Sequence, residues 1–228
     1  MFDSKYSKVL TIILIIVIVA IIALLGFLAF DYIQKYSSEK QASSFVEDFE
    51  GNITTGEQDV VENEVTSNIV LDNTNEVPIS SGSTASGKSS KKKYYNYTVA
   101  GTMKIPAIKL EYPIVEEVSG PALTKALVVL YPNGDNLNQP GNTVIIGHNY
   151  RNGTFFSNLK KLSNGAKIYV TDFRGKTITY EIYNKFEALS SDTSFYTRDT
   201  NGLAELTLST CTDASNDQRT IIFAKQIQ

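Results

Sequence analysis

The sequence is poor in cysteine and histidine. Its 228 residues include one cysteine, Cys211, and one histidine, His148. A lone cysteine excludes an internal disulfide. The 21 Lys and Arg nearly balance the 24 Asp and Glu and give a net charge of −3, which leaves no electrostatic basis for binding nucleic acid. Nothing in the sequence indicates a metal site or a cofactor.

One long apolar run is present, at residues 9–30, and it is rich in Ile, Leu, Val and Ala. Its length matches the ~20 residues that a helix needs to cross a bilayer. It is longer than the core of a cleaved secretory signal, and its bulky end does not suit a cleavage site. Because Lys5 and Lys8 precede the run, we expect a cytoplasmic tail over residues 1–8 and the rest of the chain outside the membrane.

Residues 31–93 have the composition of a linker. They contain scattered acids, few large apolar groups, and a run of small polar residues at positions 80–90. Such a composition buries too little apolar surface to offset the entropy that is lost on ordering. We therefore expect a flexible extracytoplasmic stalk.

Residues 94–228 consist of short apolar segments separated by Pro, Gly, Asn and Asp, a pattern typical of β-proteins. Seven or eight strands in a segment of roughly this length favour a closed barrel or a sandwich. Strands are predicted at residues 101–105, 108–115, 143–148, 167–172, 176–186, 204–211 and 219–225. Two short helices are predicted between them, at residues 121–129 and 155–162.

Cys211 ends the predicted strand at residues 204–211. Alternate side chains of a strand face opposite ways, so Cys211 lies opposite the apolar face that Leu206 and Leu208 form. A cysteine that served only as a small hydrophobe would be expected on the apolar face. A thiol becomes a strong nucleophile as the thiolate, which needs a nearby basic or cationic group. The pattern therefore favours Cys211 as a nucleophile.

His148 and Arg219 are the candidate partners of the thiol. His148 ends the predicted strand at residues 143–148 and carries the sole imidazole that could transfer protons near neutral pH. Turn-forming residues follow Cys211, so a hairpin would return Arg219 to its side. Because arginine stays protonated, Arg219 would be a fixed donor to a thiolate or a developing oxyanion. A structural histidine and a surface arginine remain the alternatives.

Three features together resemble the sortases, the membrane-anchored cysteine transpeptidases of Gram-positive bacteria. Residues 207–211, Thr-Leu-Ser-Thr-Cys, resemble the nucleophile motif of that family, and Gly-His-Asn at residues 147–149 resembles its histidine motif. Arg219 follows Cys211 by eight positions. The resemblance covers residues 102–226, and the amino-terminal anchor and stalk also fit it.

The resemblance implies an eight-stranded β-barrel and a two-step acyl transfer. Cys211 would attack the carbonyl between Thr and Gly of an LPxTG-like sorting signal and form a thioacyl enzyme. His148 would protonate the leaving amine and later help to deprotonate the incoming one, and Arg219 would stabilise the oxyanion and position the peptide. The implied partners are surface proteins that carry the signal, an amine of a peptidoglycan precursor, and the cell membrane.

The sequence combines features that resemble different sortase classes. Both motifs, and Gly-Thr-Phe-Phe at residues 153–156, resemble class B, whereas the 63 positions between His148 and Cys211 are similar to the shorter spacing of classes A and D. A papain-like hydrolase would have its cysteine before its histidine, the reverse of the order here. The alternative from a different class of protein is a non-catalytic, membrane-tethered β-barrel that binds a surface ligand.

Overall fold

The computed structural model describes residues 4–56, 91–134 and 136–227. Residues 1–3 of the predicted tail and residues 57–90 of the predicted stalk lie outside the described residues. In chain order the elements are α1 Ser4–Gly56, β1 Lys93–Tyr94, β2 Tyr97–Ile105, a 3-10 helix Pro106–Ile108, β3 Leu110–Val115, α2 Gly120–Leu123, β4 Leu127–Tyr131, β5 Gly141–Ile146, a 3-10 helix Phe156–Lys161, β6 Lys167–Asp172, β7 Thr177–Leu189, β8 Ala204–Cys211 and β9 Gln218–Gln226.

Eight of the strands close into a barrel. Neighbouring strands are hydrogen-bonded in the order β2, β3, β4, β5, β8, β9, β7 and β6, and an antiparallel pairing of β6 with β2 closes the circle. At this closure a Cβ atom on Gly101 would lie 2.2 Å from the carbonyl oxygen of Thr171. Only glycine allows the two strands to approach so closely. The closed eight-stranded barrel confirms the predicted fold class.

The main hydrophobic core fills the barrel. Strand residues that point inward, such as Met103, Leu208 and Ile222, are completely buried in it. The 3-10 helix Phe156–Lys161 adds two buried residues of its own, Phe156 and Leu159, to the same core. This packing fixes the strands β5, β8 and β9, at whose ends the candidate site residues lie.

Both predicted helices differ in detail from the structure. The segment predicted as one helix at residues 121–129 is two elements, because α2 ends at Leu123 and β4 begins at Leu127. Two valines follow Leu127, and β-branched residues favour a strand; β4 then pairs in parallel with β3, with Leu127 opposite Ile114. The second predicted helix, at residues 155–162, is the 3-10 helix Phe156–Lys161.

Part of the predicted flexible stalk is helical instead. α1 continues without a break to Gly56, and Ala42, Val46 and Phe49 are buried. These three residues recur at the i, i+4, i+7 spacing of a single helical face. The average composition of residues 31–93 conceals that stripe, so the prediction of a flexible stalk is wrong for residues 31–56.

Polar contacts also join this part of α1 to the barrel. The Ser43 hydroxyl donates to a carboxylate oxygen of Glu111 on β3 at 2.7 Å. On β2, the Thr102 hydroxyl and the Lys104 ammonium donate to the two carboxylate oxygens of Glu50, at 2.9 and 2.5 Å. The carboxy-terminal half of α1 therefore packs against the barrel and does not act as a flexible tether.

The amino-terminal part of α1 is the apolar segment at residues 9–30. Its side chains are exposed throughout. Within residues 4–56, 91–134 and 136–227, α1 is the one helix that is long and apolar enough to cross a membrane. It is a candidate membrane anchor, in agreement with the sequence-based expectation.

Candidate active site

The parallel pairing of β5 with β8 brings two candidate residues to the same end of the barrel. Just beyond β5, the Gly147 amide donates to the Ser209 carbonyl at 3.3 Å, and the Thr210 hydroxyl donates to the Gly147 carbonyl at 2.7 Å. These two bonds hold the chain immediately before His148 against the chain immediately before Cys211. The two residues are therefore neighbours although 63 positions separate them.

Gly147 permits this close approach. A Cβ atom at this position would lie 2.6 Å from Leu127 Cδ2 and 2.9 Å from Phe156 Cδ2. Both side chains are completely buried, so they have little room to move away. The glycine of the Gly-His-Asn motif thus has a packing role next to the imidazole.

Arg219 lies directly opposite Cys211 in the antiparallel hairpin of β8 and β9. The prediction that a hairpin returns Arg219 to Cys211 is confirmed. The Arg219 guanidinium donates to the carbonyl of Asn216, and at 3.2 Å to that of Gln218. Among the residues that the structure describes, no carboxylate forms an ion pair with it, so its positive charge is not neutralised by a direct partner.

Cys211, His148 and Arg219 line one cavity of about 250 Å³. Phe195 and Tyr196, from the loop between β7 and β8, form aromatic walls of the same cavity. A larger cavity of about 860 Å³ lies between α1 and the barrel, but none of the three predicted site residues lines it. The described part of the chain brings no three His, Cys, Asp or Glu side chains together as metal ligands. The smaller cavity is therefore the candidate active site.

The His148 imidazole is half-buried. Burial lowers its pKa below the ordinary value of 6.5, because desolvation disfavours the charged imidazolium. The ring packs beside Tyr150 with 4.8 Å between centroids, and Tyr150 in turn meets Phe155 edge-on at 5.5 Å. At neutral pH the imidazole is therefore mainly uncharged and can accept a proton.

Asn149 joins the two halves of the site, although the sequence analysis includes it only as part of a motif. Its amide nitrogen donates to the Cys211 carbonyl at 2.9 Å and to Oδ1 of Asp213 at 2.8 Å. Its amide oxygen accepts from the Arg151 backbone amide at 3.0 Å. The side chain thus ties the loop that starts at His148 to the end of β8. Its position next to His148 is the sole sequence signal for this role.

A second cluster holds the loop between β7 and β8, residues 190–203. Arg198 donates to Oε2 of Glu205 at 2.8 Å and to the Thr207 hydroxyl at 2.5 Å. Its guanidinium also lies 4.0 Å from the ring centroid of Phe223. Glu205 and Thr207 share the strand face of Cys211, so this polar face of β8 is buried beneath the loop instead of facing solvent.

Comparisons with known proteins agree on one family. A family model described as the sortase domain matches residues 103–227. Sortase A of Streptococcus agalactiae is 28% identical over 151 residues, which cover 64% of this chain and 60% of that protein. The chain thus spans less than two thirds of the length of this curated relative.

Two solved structures illustrate the similarity of the barrel to known folds. Sortase A from Corynebacterium diphtheriae matches with a TM-score of 0.53 at 30% identity, over 58% of this chain and 62% of that chain. Sortase C-1 from Actinomyces oris matches with a TM-score of 0.52 at 26% identity, over 57% and 74% of the two chains. The barrel described above has the fold of these structures.

Proposed function

Because this chain belongs to the sortase family, we propose that it is a membrane-anchored cysteine transpeptidase. Cys211 is the nucleophile, His148 transfers protons, and Arg219 stabilises the oxyanion. The observation that supports these roles most directly is that all three residues line one cavity. The substrate is the LPxTG-like sorting signal of a surface protein, and the acceptor is an amine of a peptidoglycan precursor.

The first step exchanges a C–N bond for a C–S bond. The sulfur of Cys211 attacks the carbonyl carbon between Thr and Gly of the signal while its proton passes to His148. The lowered pKa of His148 keeps the imidazole available as the proton acceptor. The imidazolium then protonates the glycine nitrogen as the C–N bond breaks. The amino-terminal part of the substrate remains on Cys211 as a thioester.

Arg219 acts on the charge that develops during the attack. The carbonyl oxygen becomes negative as the sulfur adds, and a fixed guanidinium can donate two N–H groups to it. The support for this role is the position of Arg219 opposite Cys211 in the hairpin. Removal of an oxyanion donor typically lowers kcat by about 10²- to 10³-fold.

The second step transfers the acyl group to the amine. The acceptor nitrogen attacks the thioester carbon, and the neutral His148 takes a proton from the incoming amine. Collapse of the tetrahedral intermediate breaks the C–S bond, and the sulfur recovers a proton from the imidazolium. The enzyme returns to its starting state, with an amide bond now joining the surface protein to the cell-wall precursor.

The apolar segment at residues 9–30 places this chemistry at the cell membrane as a single-pass anchor. Lys5 and Lys8 precede it, which favours a cytoplasmic amino terminus and an extracytoplasmic barrel. Sorting signals and peptidoglycan precursors would then meet on the same side of the membrane as the cavity. Addition of a protease to intact cells should cleave the barrel but not the tail.

A hydroxylamine assay on the full chain in nanodiscs tests the catalytic proposal. With a sorting-signal peptide and hydroxylamine, wild type should form peptide hydroxamate, whereas Cys211→Ala and His148→Ala should form none. Arg219→Lys should lose about 100-fold or more, because an ammonium cannot replace the planar fork of arginine.

Arg174→Lys is the matched control for Arg219→Lys, because Arg174 is exposed and does not line the cavity. It should retain wild-type activity. Hydroxamate formation by Cys211→Ala at the wild-type rate would refute the mechanism. A binding module would instead bind the peptide without forming hydroxamate even as wild type.

A further inference from the structure

A second cavity beside α1 concentrates positive charge. Its volume is about 450 Å³, and we call it the basic cavity after its charged lining residues, Lys35, Arg151, Lys160, Lys161 and Asp213. Four of these are cationic and one is anionic, whereas the chain as a whole has a net charge of −3. A local excess of positive charge in a chain of negative net charge indicates an anion as the partner.

Most of this charge is not compensated within the cavity. Asp213 forms an ion pair with Lys160. Arg151 donates to the backbone carbonyl of Asp213 at 2.8 Å, and Lys35 donates to a backbone carbonyl of the facing loop. Bonds to carbonyls position these two cations but leave their charge in place. Lys161 is exposed and adds a further positive charge at the rim.

The position of Lys35 relates the basic cavity to the membrane. Lys35 follows the apolar segment at residues 9–30 by five positions on the same continuous helix. At 1.5 Å per residue this is roughly 7.5 Å along the helix axis. The headgroup layer extends roughly 5 to 8 Å beyond the hydrocarbon core on each side. Lys35 therefore lies at the level of the lipid phosphates when the helix spans a bilayer.

The docking of α1 determines which part of the barrel lies nearest the lipid. The contacts of Ala42, Ser43 and Glu50 with the barrel are 12 to 20 residues beyond the apolar segment, roughly 18 to 30 Å along the axis. The contact of Lys35 with the loop after Arg151 is much closer to that segment. The basic cavity is thus on the membrane-proximal rim of the barrel.

We propose that the basic cavity binds the phosphate of an anionic lipid headgroup. Phosphate oxygens accept charge-assisted hydrogen bonds from both guanidinium and ammonium groups. Because Arg151 and Asp213 adjoin the Asn149 contacts at the active site, a bound headgroup fixes the orientation of this rim relative to the bilayer. This site goes beyond the proposed function, since it requires the membrane anchor but no catalytic step.

Hydrogen exchange on the full chain in nanodiscs tests the headgroup site. The nanodiscs contain phosphatidylcholine with an increasing fraction of phosphatidylglycerol. Amide exchange across residues 149–161 should slow as the anionic fraction rises, and it should not slow in phosphatidylcholine alone. The variant Lys160→Gln/Lys161→Gln should need at least about fivefold more phosphatidylglycerol for half of the protection, because one lysine strengthens binding to an anionic surface by roughly that factor and the charge of Lys160 is partly offset by Asp213.

The matched control is Lys125→Gln/Lys225→Gln, which removes two exposed lysines that do not line the basic cavity. It should behave as wild type. An equal loss of protection in this control, or no slowing with phosphatidylglycerol, would overturn the site. Equal protection by inorganic phosphate in phosphatidylcholine nanodiscs would overturn the lipid as its ligand. Cys211→Ala should keep full protection, so failure of the catalytic proposal would leave this result unaffected.

Discussion

His148 shows how burial, rather than a charged partner, adjusts a single residue for its role. Desolvation lowers its pKa, and its ring packs beside Tyr150. A neutral imidazole suits the proposed mechanism, since it must first accept a proton from the thiol. The same environment makes the folded state disfavour the imidazolium.

The pKa of His148 can be measured by NMR without mutants to assign the imidazole resonances, because the chain has one histidine. An NMR titration of its imidazole resonances should give a pKa below the ordinary value of 6.5. The unfolded chain then binds a proton at higher pH than the folded chain, so the free energy of unfolding should fall as the pH drops below about 6.5. His148→Gln should lack this component. A pKa at or above 6.5 would show that burial does not control the group.

Asn149 is a positioning residue, because it touches the Cys211 carbonyl rather than the reacting atoms. Asn149→Ala should lower kcat by about 10-fold through loss of one hydrogen bond that aligns the end of β8, with little change in KM. Steady-state hydroxylamine assays measure both constants. The control Asn158→Ala removes an amide that bonds to Gly153 and should leave kcat unchanged. A rise in KM alone would instead place Asn149 in substrate binding.

The sequence predicts which residues meet at the site better than it predicts what holds them there. Cys211 and Arg219 become neighbours through a local hairpin, which turn-forming residues reveal. The bond from Asn149 to Cys211 joins positions 62 residues apart. It depends on the parallel register of β5 and β8, which no local pattern specifies. The catalytic roles of His148, Cys211 and Arg219 stay predictions until they are assayed.

At the scale of elements, α1 combines an apolar membrane segment with a second half that packs on the barrel. Phe49 is 2% exposed and shares a cluster with Tyr94, Val99 and Val115. Phe45 adds a ring contact to Tyr94 at 4.8 Å between centroids. The average composition of residues 31–93 is polar, so it does not reveal the few apolar residues that lie on one face of the helix. That face is recognised as buried only once its contact with the barrel is known.

Phe49→Ala measures how strongly α1 stabilises the barrel. Removal of a buried phenylalanine ring should lower the free energy of unfolding by about 3 kcal/mol, since the contacts are lost and a cavity remains. Urea denaturation of the full chain in nanodiscs, followed by tyrosine fluorescence, gives this value. Ser44→Ala, at an exposed position on the same helix, should have little effect. Equal stability of Phe49→Ala and wild type would mean that α1 does not dock in solution.

The strands of the barrel are the elements that the sequence predicts best. β6 and β8 agree with the predicted segments at both ends, Lys167–Asp172 and Ala204–Cys211. The sequence analysis does not predict β4, because its short apolar run is compatible with either a helix or a strand. The pairing of β4 with β3 makes the segment a strand. Tertiary pairing, rather than propensity, determines that segment.

At the scale of the whole molecule, one continuous helix runs from the apolar segment onto the side of the barrel. The candidate active site and the basic cavity share the loop that begins at His148, because Asn149 contacts Cys211 while Arg151 lines the basic cavity. If both proposals hold, headgroup binding and acyl transfer involve the same loop. If the apolar segment spans a bilayer, the continuous helix α1 allows a smaller range of distances between the cavity and the bilayer than a flexible stalk would.

Peptide-mapping mass spectrometry can show whether Cys211 carries the acyl group during transfer. The full chain is incubated with a sorting-signal peptide, quenched in acid and digested. We expect a mass increase on Cys211 that corresponds to the acyl group of the peptide up to its threonine, and hydroxylamine should remove it. Transfer product formed with no adduct on Cys211, or formed equally well by Cys211→Ala, would contradict this expectation.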